Sequence, residues 1–360
     1  MKRFSGNDKR YEMKRFLLYL KRFFIFLGVT FGIVLVGVYF VGFICINGPS
    51  PLAKDLFVLS VRESSAGGFL ADIYLSDEEI KEIEERNSVK KTDDITDTSI
   101  VVIEKNDKNN SNQSGDNGED KENKEEFVDG VRFETVIGST YRGMMMIVED
   151  PSRVFVGSLD KYGSGRGQTV LEFIDRYDAI GGTNAGGFSD TGGSGTGAIP
   201  DGLVISEGVL KWGNPGTKYE VIGITKEDIL VVGNMTAQKA LDMGVRDAVS
   251  FGPILVVNGK STNVGGTGGG LNPRTAIGQR ADGAMLLLVI DGRQTSSLGA
   301  NQRDLINIML EFGAVNAANL DGGSSSSMYY DGKCYNSSAS LVGMRDIPTT
   351  ILIRRLENNE

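Results

Sequence analysis

Ala284-Met285-Leu286-Leu287-Leu288-Val289-Ile290-Asp291-Gly292-Arg293 sets seven apolar residues directly before an acid, a glycine and a base. No polar residue interrupts the run, so it predicts a strand buried on both faces, at the centre of a sheet. Outward from it, Arg132 to Ile137, Arg142 to Val148 and Arg153 to Ser158 are short runs rich in β-branched residues or methionine, each ended by turn signals. Leu203 to Ser206 and Val209 to Lys211 read as a hairpin around Glu207-Gly208. Tyr219 to Thr225, Ile229 to Val232, Ser250 to Lys260 with its Asn258-Gly259 turn, and Thr349 to Ile353 add strands. Helical spacing occurs at Gln168 to Tyr177, Thr236 to Met243 and Leu305 to Phe312. Many strands with a few interspersed helices predict the α+β class, with a mixed sheet. Gly192 to Gly197 and Gly265 to Gly270 are expected to be flexible loops.

A second stretch ends in an acid in the same way. Asn319-Leu320-Asp321-Gly322-Gly323-Ser324-Ser325-Ser326-Ser327 follows the Leu305 to Phe312 helix and a short small-residue segment, Gly313 to Ala318. Glycines allow the backbone to turn sharply and approach a ligand. Successive N–H groups in such a turn form an anion-binding concavity, to which serine hydroxyls add donors. From these nine residues alone two readings stand, a Gly-Ser surface loop and one acid beside a cradle suited to phosphate.

Composition removes several alternatives. The net charge of −9 argues against nucleic acid as the main partner, because no basic face remains outside the N-terminus. The chain has no histidine. That excludes Ser-His-Asp and Cys-His nucleophiles, histidine-ligated zinc and histidine acid–base chemistry. Cys45 and Cys334 give neither a CxxC pattern nor a disulfide framework. Hydrolytic chemistry therefore rests on Asp, Glu, Tyr, Lys or a metal held by oxygens.

The 360 residues have room for an anchor, a linker and one sizeable domain. Phe23 to Ile46 is an uncharged run of 24 residues. As a helix it spans roughly 36 Å, enough for a hydrocarbon core. Lys2, Arg3, Lys9, Arg10, Lys14, Arg15, Lys21 and Arg22 precede it, opposed only by Asp8 and Glu12. This bias predicts a cytoplasmic basic tail (1–22), a transmembrane signal anchor (23–46) and an extracellular remainder at the cell membrane. A cleavable signal peptide fits less well, since the run exceeds the usual length of about 7–15 residues. Residues 47–86 are expected to form a membrane-proximal stalk without chemistry, with a helix capped by Ser76 and running to about Arg86. Residues 87–126, dominated by Asp, Glu, Lys, Asn and Ser, are expected to form an acidic disordered linker. The globular domain is then 127–357.

Within that domain an ordered set of motifs resembles the phosphodiester glycosidase family. They are Asn184-Ala185-Gly186-Gly187-Phe188, Asp201-Gly202-Leu203-Val204-Ile205-Ser206, Phe251-Gly252-Pro253, Asn272-Pro273-Arg274-Thr275-Ala276-Ile277-Gly278, Asp291-Gly292-Arg293 and Asn319-Leu320-Asp321-Gly322-Gly323-Ser324-Ser325. The resemblance implies hydrolysis of a sugar–O–phosphate linkage at the anomeric carbon of a glycan phosphodiester. Glycoside cleavage usually uses two carboxyl groups flanking that carbon, and the resemblance offers Asp321 and Asp291. Arg274 and Arg293 are then candidates to grip phosphate bidentately. Gly322, Gly323, Ser324 and Ser325 would donate to it, and Asn184 and Asn319 would bind the substrate's polar groups. Two alternatives stay open. One is a phosphodiesterase with Mg²⁺ or Ca²⁺ held by Asp291, Asp321 and Asn319, and the other is a non-catalytic glycan-binding module.

Overall fold

The computed structural model describes residues 6–64, 67–103, 127, 129–189, 195–337, 339–340 and 343–356. Most of the expected linker (104–126), Lys2, Arg3 and part of the Gly192 to Gly197 loop lie outside these residues. The chain divides into two compact units, Met1–Phe57 and Val58–Glu360.

The first unit holds α1 (Gly6–Asn47), 42 residues long. Its stretch Tyr11–Asn47 is long and apolar enough to cross a membrane, a description that a signal sequence also meets. The helix extends N-terminally past the apolar run because Lys, Arg, Glu, Met and Leu are all good helix formers. α2 (Pro51–Arg62) follows, with proline at its first position and Ser50 Oγ accepting from Ala53 N at 3.2 Å.

The second unit begins within α2. α3 (Phe69–Asp72) and α4 (Asp77–Arg86) come next, and a Ser76/Glu79 capping box starts α4 as its sequence predicts. Seven strands then form one sheet: β1 (Val131–Ile137), β2 (Arg142–Val148), β10 (Ile254–Val257), β11 (Lys260–Ser261), β12 (Arg274–Arg280), β13 (Met285–Ile290) and β14 (Ala314–Leu320). Their order is β1-β2-β13-β12-β14-β10-β11. A second sheet takes β3 (Val154–Ser158), β4 (Ala179–Asn184), β15 (Met328–Tyr330), β16 (Lys333–Cys334) and β17 (Thr349–Arg354), ordered β16-β15-β4-β17-β3. The third takes β5 (Val204–Ser206), β6 (Val209–Trp212), β7 (Lys218–Thr225), β8 (Leu230–Thr236) and β9 (Val245–Ser250), ordered β6-β5-β9-β7-β8. Helices α5 (Val170–Arg176), α6 (Ala237–Asp242) and α7 (Gln302–Glu311) are interspersed.

The α+β class is as expected, but the strands fall into three sheets, antiparallel in every ladder described. Short turns between consecutive strands, as between β12 and β13, favour antiparallel pairing, whereas parallel pairing needs a long crossover. The apolar run that predicts a central strand is β13. Met285, Leu287 and Val289 face a core shared by the three sheets. Leu286, Leu288 and Ile290 face a second core beneath α7, with Leu305, Ile306, Ile308 and Met309. The small-residue segment Gly313 to Ala318 contributes to strand β14. Its alanines are poor strand formers in isolation. Lying between β12 and β10, they let α7 approach, and Ala314 and Ala317 sit in its core.

Two expectations about flexible segments need correction. Residues 87–103 are not a tether but an extended segment laid on the domain. Val89 bridges Val264, Ile95 bridges Gly233, and Val102 N donates to Ala281 O at 2.8 Å. Buried Thr96 bonds Val232 through both backbone and hydroxyl. A polar composition hid these contacts because they are made largely by backbone. The 265–270 loop is also pinned, with Gly265 N donating to Ser88 O at 3.0 Å and Thr267 N to Asn87 Oδ1 at 2.7 Å.

Candidate active site

Strand alternation sorts the candidate residues onto two faces of the seven-stranded sheet. On β12, Arg274 lies opposite Ile290 and Thr275 opposite Leu320. Ile290 belongs to the α7 core and Leu320 to the shared core. Arg274 therefore faces the α7 side, together with Asn319, whose partner Ala276 is in the α7 core. Asp321 continues the same alternation. Asp291, one residue beyond Ile290, continues toward the opposite face.

A cavity of about 410 Å³ opens at this end of the sheet. Asn319, Asp321, Gly322, Gly323, Ser324 and Ser325 form one wall, and Arg274 and Arg293 another. Eight of the ten residues expected at a site thus meet here. The other two, Asp291 and Asn184, do not line the cavity. Asp291 Oδ1 accepts from Ser337 N at 2.8 Å, and burial pushes the carboxyl up from its ordinary pKa, opposed by the Ser337 and Asn336 hydrogen bonds and by Arg142. Buried Asn184 holds the wall from behind. Its Nδ2 donates to Asp321 O at 2.5 Å, and its Oδ1 accepts from Thr275 Oγ1 at 2.8 Å and Ser327 N at 3.1 Å.

The glycine-serine turn is used differently from the expected cradle. Gly322 N donates to Asp321 Oδ1 at 3.0 Å, and Gly323 N to Pro273 O at 2.9 Å. Those two amides fix the turn and the carboxylate, and Ser324 and Ser325 line the cavity beyond them. Ser324 Oγ already accepts from Arg345 Nη1 at 3.3 Å. Gly323 has φ +62°, a conformation side chains rarely adopt, and the Arg293 guanidinium lies over it, 3.4–3.5 Å from where a Cβ would stand in ordinary contact.

The two arginines are held in unequal ways. Arg274 is buried, with Nε donating to Ala300 O at 3.0 Å and Nη2 to Gly270 O at 2.8 Å and Glu63 Oε2 at 2.5 Å. Its fork is largely committed to the protein, so the expected bidentate grip on phosphate is not available to it as it stands. Arg293 is exposed as a residue and has φ +58°. Its Nε and Nη2 share Asn272 Oδ1, at 3.3 and 2.9 Å. Desolvation and the neighbouring Arg274 charge both pull its pKa down, with Glu63 opposing.

Sequence reasoning missed Glu63, Asn272, Gln302, Phe188 and Phe251, all of which line the cavity. Asn272, Phe188 and Phe251 stand inside the quoted motifs and were within reach. Glu63 and Gln302 carried no signal, being brought in by α2 and α7. Gln302 Oε1 and Asn319 Oδ1 are buried and have no hydrogen-bond partner among the described residues, the kind of acceptor that calls for an explanation. Among the described residues no three or more Asp, Glu or Cys side chains are grouped to hold a metal ion. The oxygen set Asp291, Asp321 and Asn319 is divided between the two faces.

The chain is thus an α+β domain of three antiparallel sheets, with a carboxylate and two guanidinium groups at one strand-end cavity. Residues 177–354 match the phosphodiester glycosidase family, bearing out the resemblance for that part of the chain. The SPβ prophage-derived uncharacterized protein YomE of Bacillus subtilis is 32% identical over 203 residues, 52% of this chain and 29% of that protein. The chain thus spans less than a third of that relative's length. Among solved structures, the catalytic domain of zebrafish N-acetylglucosamine-1-phosphodiester α-N-acetylglucosaminidase, auto-inhibited by its pro-peptide, is similar over 63% of this chain and 82% of that one, at 21% identity and TM-score 0.49. A putative exported protein of Burkholderia pseudomallei is similar over 59% and 74%, at 17% identity and TM-score 0.44.

Proposed function

We propose that this chain is a hydrolase of sugar-1-phosphodiesters, cleaving at the anomeric carbon of cell-surface or secreted glycans and held at the outer face of the membrane by α1. The observation that carries this reading is the meeting of Asp321, Ser324, Ser325 and the Arg274–Arg293 pair around one cavity. Phosphate is a good leaving group, so the site's main task is to stabilise its negative charge beside a carboxylate acting on the anomeric centre. Asp321, fixed by the Gly322 amide, takes the second role. Arg293, the more accessible cation, takes the first, with Arg274 adding positive potential from behind. Asn319 and Gln302 would accept hydrogen bonds from the substrate's hydroxyls. The basic residues before Phe23 support the outward orientation.

One experiment tests chemistry and orientation together. Intact cells carrying the full chain are given a membrane-impermeant sugar-1-phosphodiester in isotopically labelled water, and the products are weighed. The expected outcome is turnover without lysis and label on the sugar's anomeric hydroxyl. Label on phosphate would instead assign P–O cleavage and a phosphodiesterase. Binding without turnover would assign a glycan-binding module, and turnover only after lysis would reverse the orientation.

A further inference from the structure

Glu63, directly after α2, lies outside the family-matching residues yet lines the cavity. Its carboxylate collects three donors. Oε1 accepts from Gly270 N at 2.8 Å, and Oε2 accepts from Asn272 Nδ2 at 3.0 Å and Arg274 Nη2 at 2.5 Å. Asn272 passes the constraint on, because its Oδ1 takes both Arg293 donors. One carboxylate therefore touches one arginine directly and the other through a single amide.

The electrostatics call for such a group. Burial and then the Arg274 charge lower the Arg293 pKa, and Glu63 is the charge that opposes them. The approach is also built sterically. A Cβ on Gly270 would stand 2.3 Å from Ser60 N, so α2 lies directly on the loop leading to Arg274. Ser60 Oγ accepts from Leu271 N at 2.9 Å, and Asn87 Oδ1 accepts from Thr267 N and Oγ1. The glycine-rich loop is thereby set at several points by the segment 60–88.

We propose that Glu63 is a positioning residue of the site: it holds Arg274 and Asn272, and through Asn272 sets Arg293 in the orientation that receives the phosphate group. The proposal rests on the phosphodiester reading above for its substrate, but not for its anion. The segment that precedes the family domain is then part of the working site, and the domain cut at its family boundary is incomplete.

The test uses the full chain in detergent, as wild type, Glu63→Gln and Glu63→Asp, with thermal unfolding measured alongside. For a sugar-1-phosphodiester, Glu63→Gln is expected to raise KM about tenfold, the size of one lost charge-assisted hydrogen bond, with kcat changed much less. Glu63→Asp, which keeps the charge, recovers part of that loss. Calorimetry with inorganic phosphate should show the same weakening in Glu63→Gln. A fall in KM with tighter phosphate binding would make Glu63 a competitor of the substrate's phosphate, and overturn the proposal. A lower kcat at unchanged KM would show a merely structural role and overturn it too. Phosphate binding that follows this pattern in a chain that hydrolyses no sugar-1-phosphodiester would keep the positioning role and remove the glycosidase reading alone.

Discussion

β13 and β14 flank β12 in the same sheet and end alike, each in an apolar residue followed by Asp-Gly. Their aspartates nevertheless meet different surroundings. Asp321 lines the cavity with its carboxylate seated on the Gly322 amide. Asp291 lies away from it, tied to Ser337 N, with its backbone N donating to Arg142 O at 2.9 Å. Against β12, Ile290 sits opposite Arg274 while Leu320 sits opposite Thr275, a register offset of one residue between the two strands. A one-residue offset reverses the face to which the next side chain points. Two similar local signatures are thus sent to different faces by pairing register.

The strongest way to break this comparison is to neutralise each aspartate in turn. Asp321→Asn keeps the shape and the acceptor for Gly322 N but removes the charge. Turnover of a sugar-1-phosphodiester should fall about 10²-fold or more, the usual contribution of a positioned acid or base, with KM little changed. Steady-state kinetics on the purified chain decide this. Equal losses in Asp321→Asn and Asp291→Asn would return Asp291 to the catalytic pair and contradict the division by face.

Much of this was legible before any coordinates. The apolar run of β13 reads correctly as central because both of its faces are filled, and the Ser76 capping box is a local device. Most site candidates lie in motifs whose glycines and arginines announce close approach and charge. What stayed hidden depends on long-range pairing. The offset that sends Asp291 away from Asp321 is fixed by hydrogen bonds between β12 and its two neighbours. The docking of Glu63 depends on contacts across roughly 200 residues of sequence, Arg274 and Glu63 being 211 positions apart. A polar segment such as 87–103 can be held by its backbone, which composition does not record.

Arg293 sharpens the comparison from the other side. It follows Asp291 by two residues, and its positive φ turns the chain back to the cavity. Arg293→Lys carries the same backbone demand, so a change in kinetics reports the guanidinium and not the turn. A single ammonium lacks the planar fork that donates twice to Asn272 Oδ1 from one edge and offers a second edge to phosphate. KM for the phosphodiester should rise about tenfold, and inorganic phosphate should become a correspondingly poorer inhibitor. A silent substitution would remove Arg293 from the binding wall.

The smallest effect is expected at Asp291, and it is best read through pH. Asp291→Asn should leave turnover within about threefold of wild type, since no transition-state contact is removed. Its effect on stability has a definite sign. Burial raises the Asp291 pKa in the folded chain above its unfolded value, so the folded state holds this proton more tightly. At pH below the ordinary carboxylate range both states are protonated and the group costs nothing. As pH rises through the raised folded value, the folded state must accept a poorly solvated charge, and the contribution of Asp291 to stability declines. Asparagine cannot ionise, so the Tm difference, variant minus wild type, should grow more positive from about pH 3 to pH 7, while other titrating groups cancel in the subtraction. The Ser337 N–H still has an oxygen to donate to, which keeps the loop in place in the variant. A difference that instead becomes more negative with pH would mean that the ionised carboxylate is the form the folded chain prefers. Asp291 would then resemble a site carboxylate, and the contrast with Asp321 would have to rest on position alone.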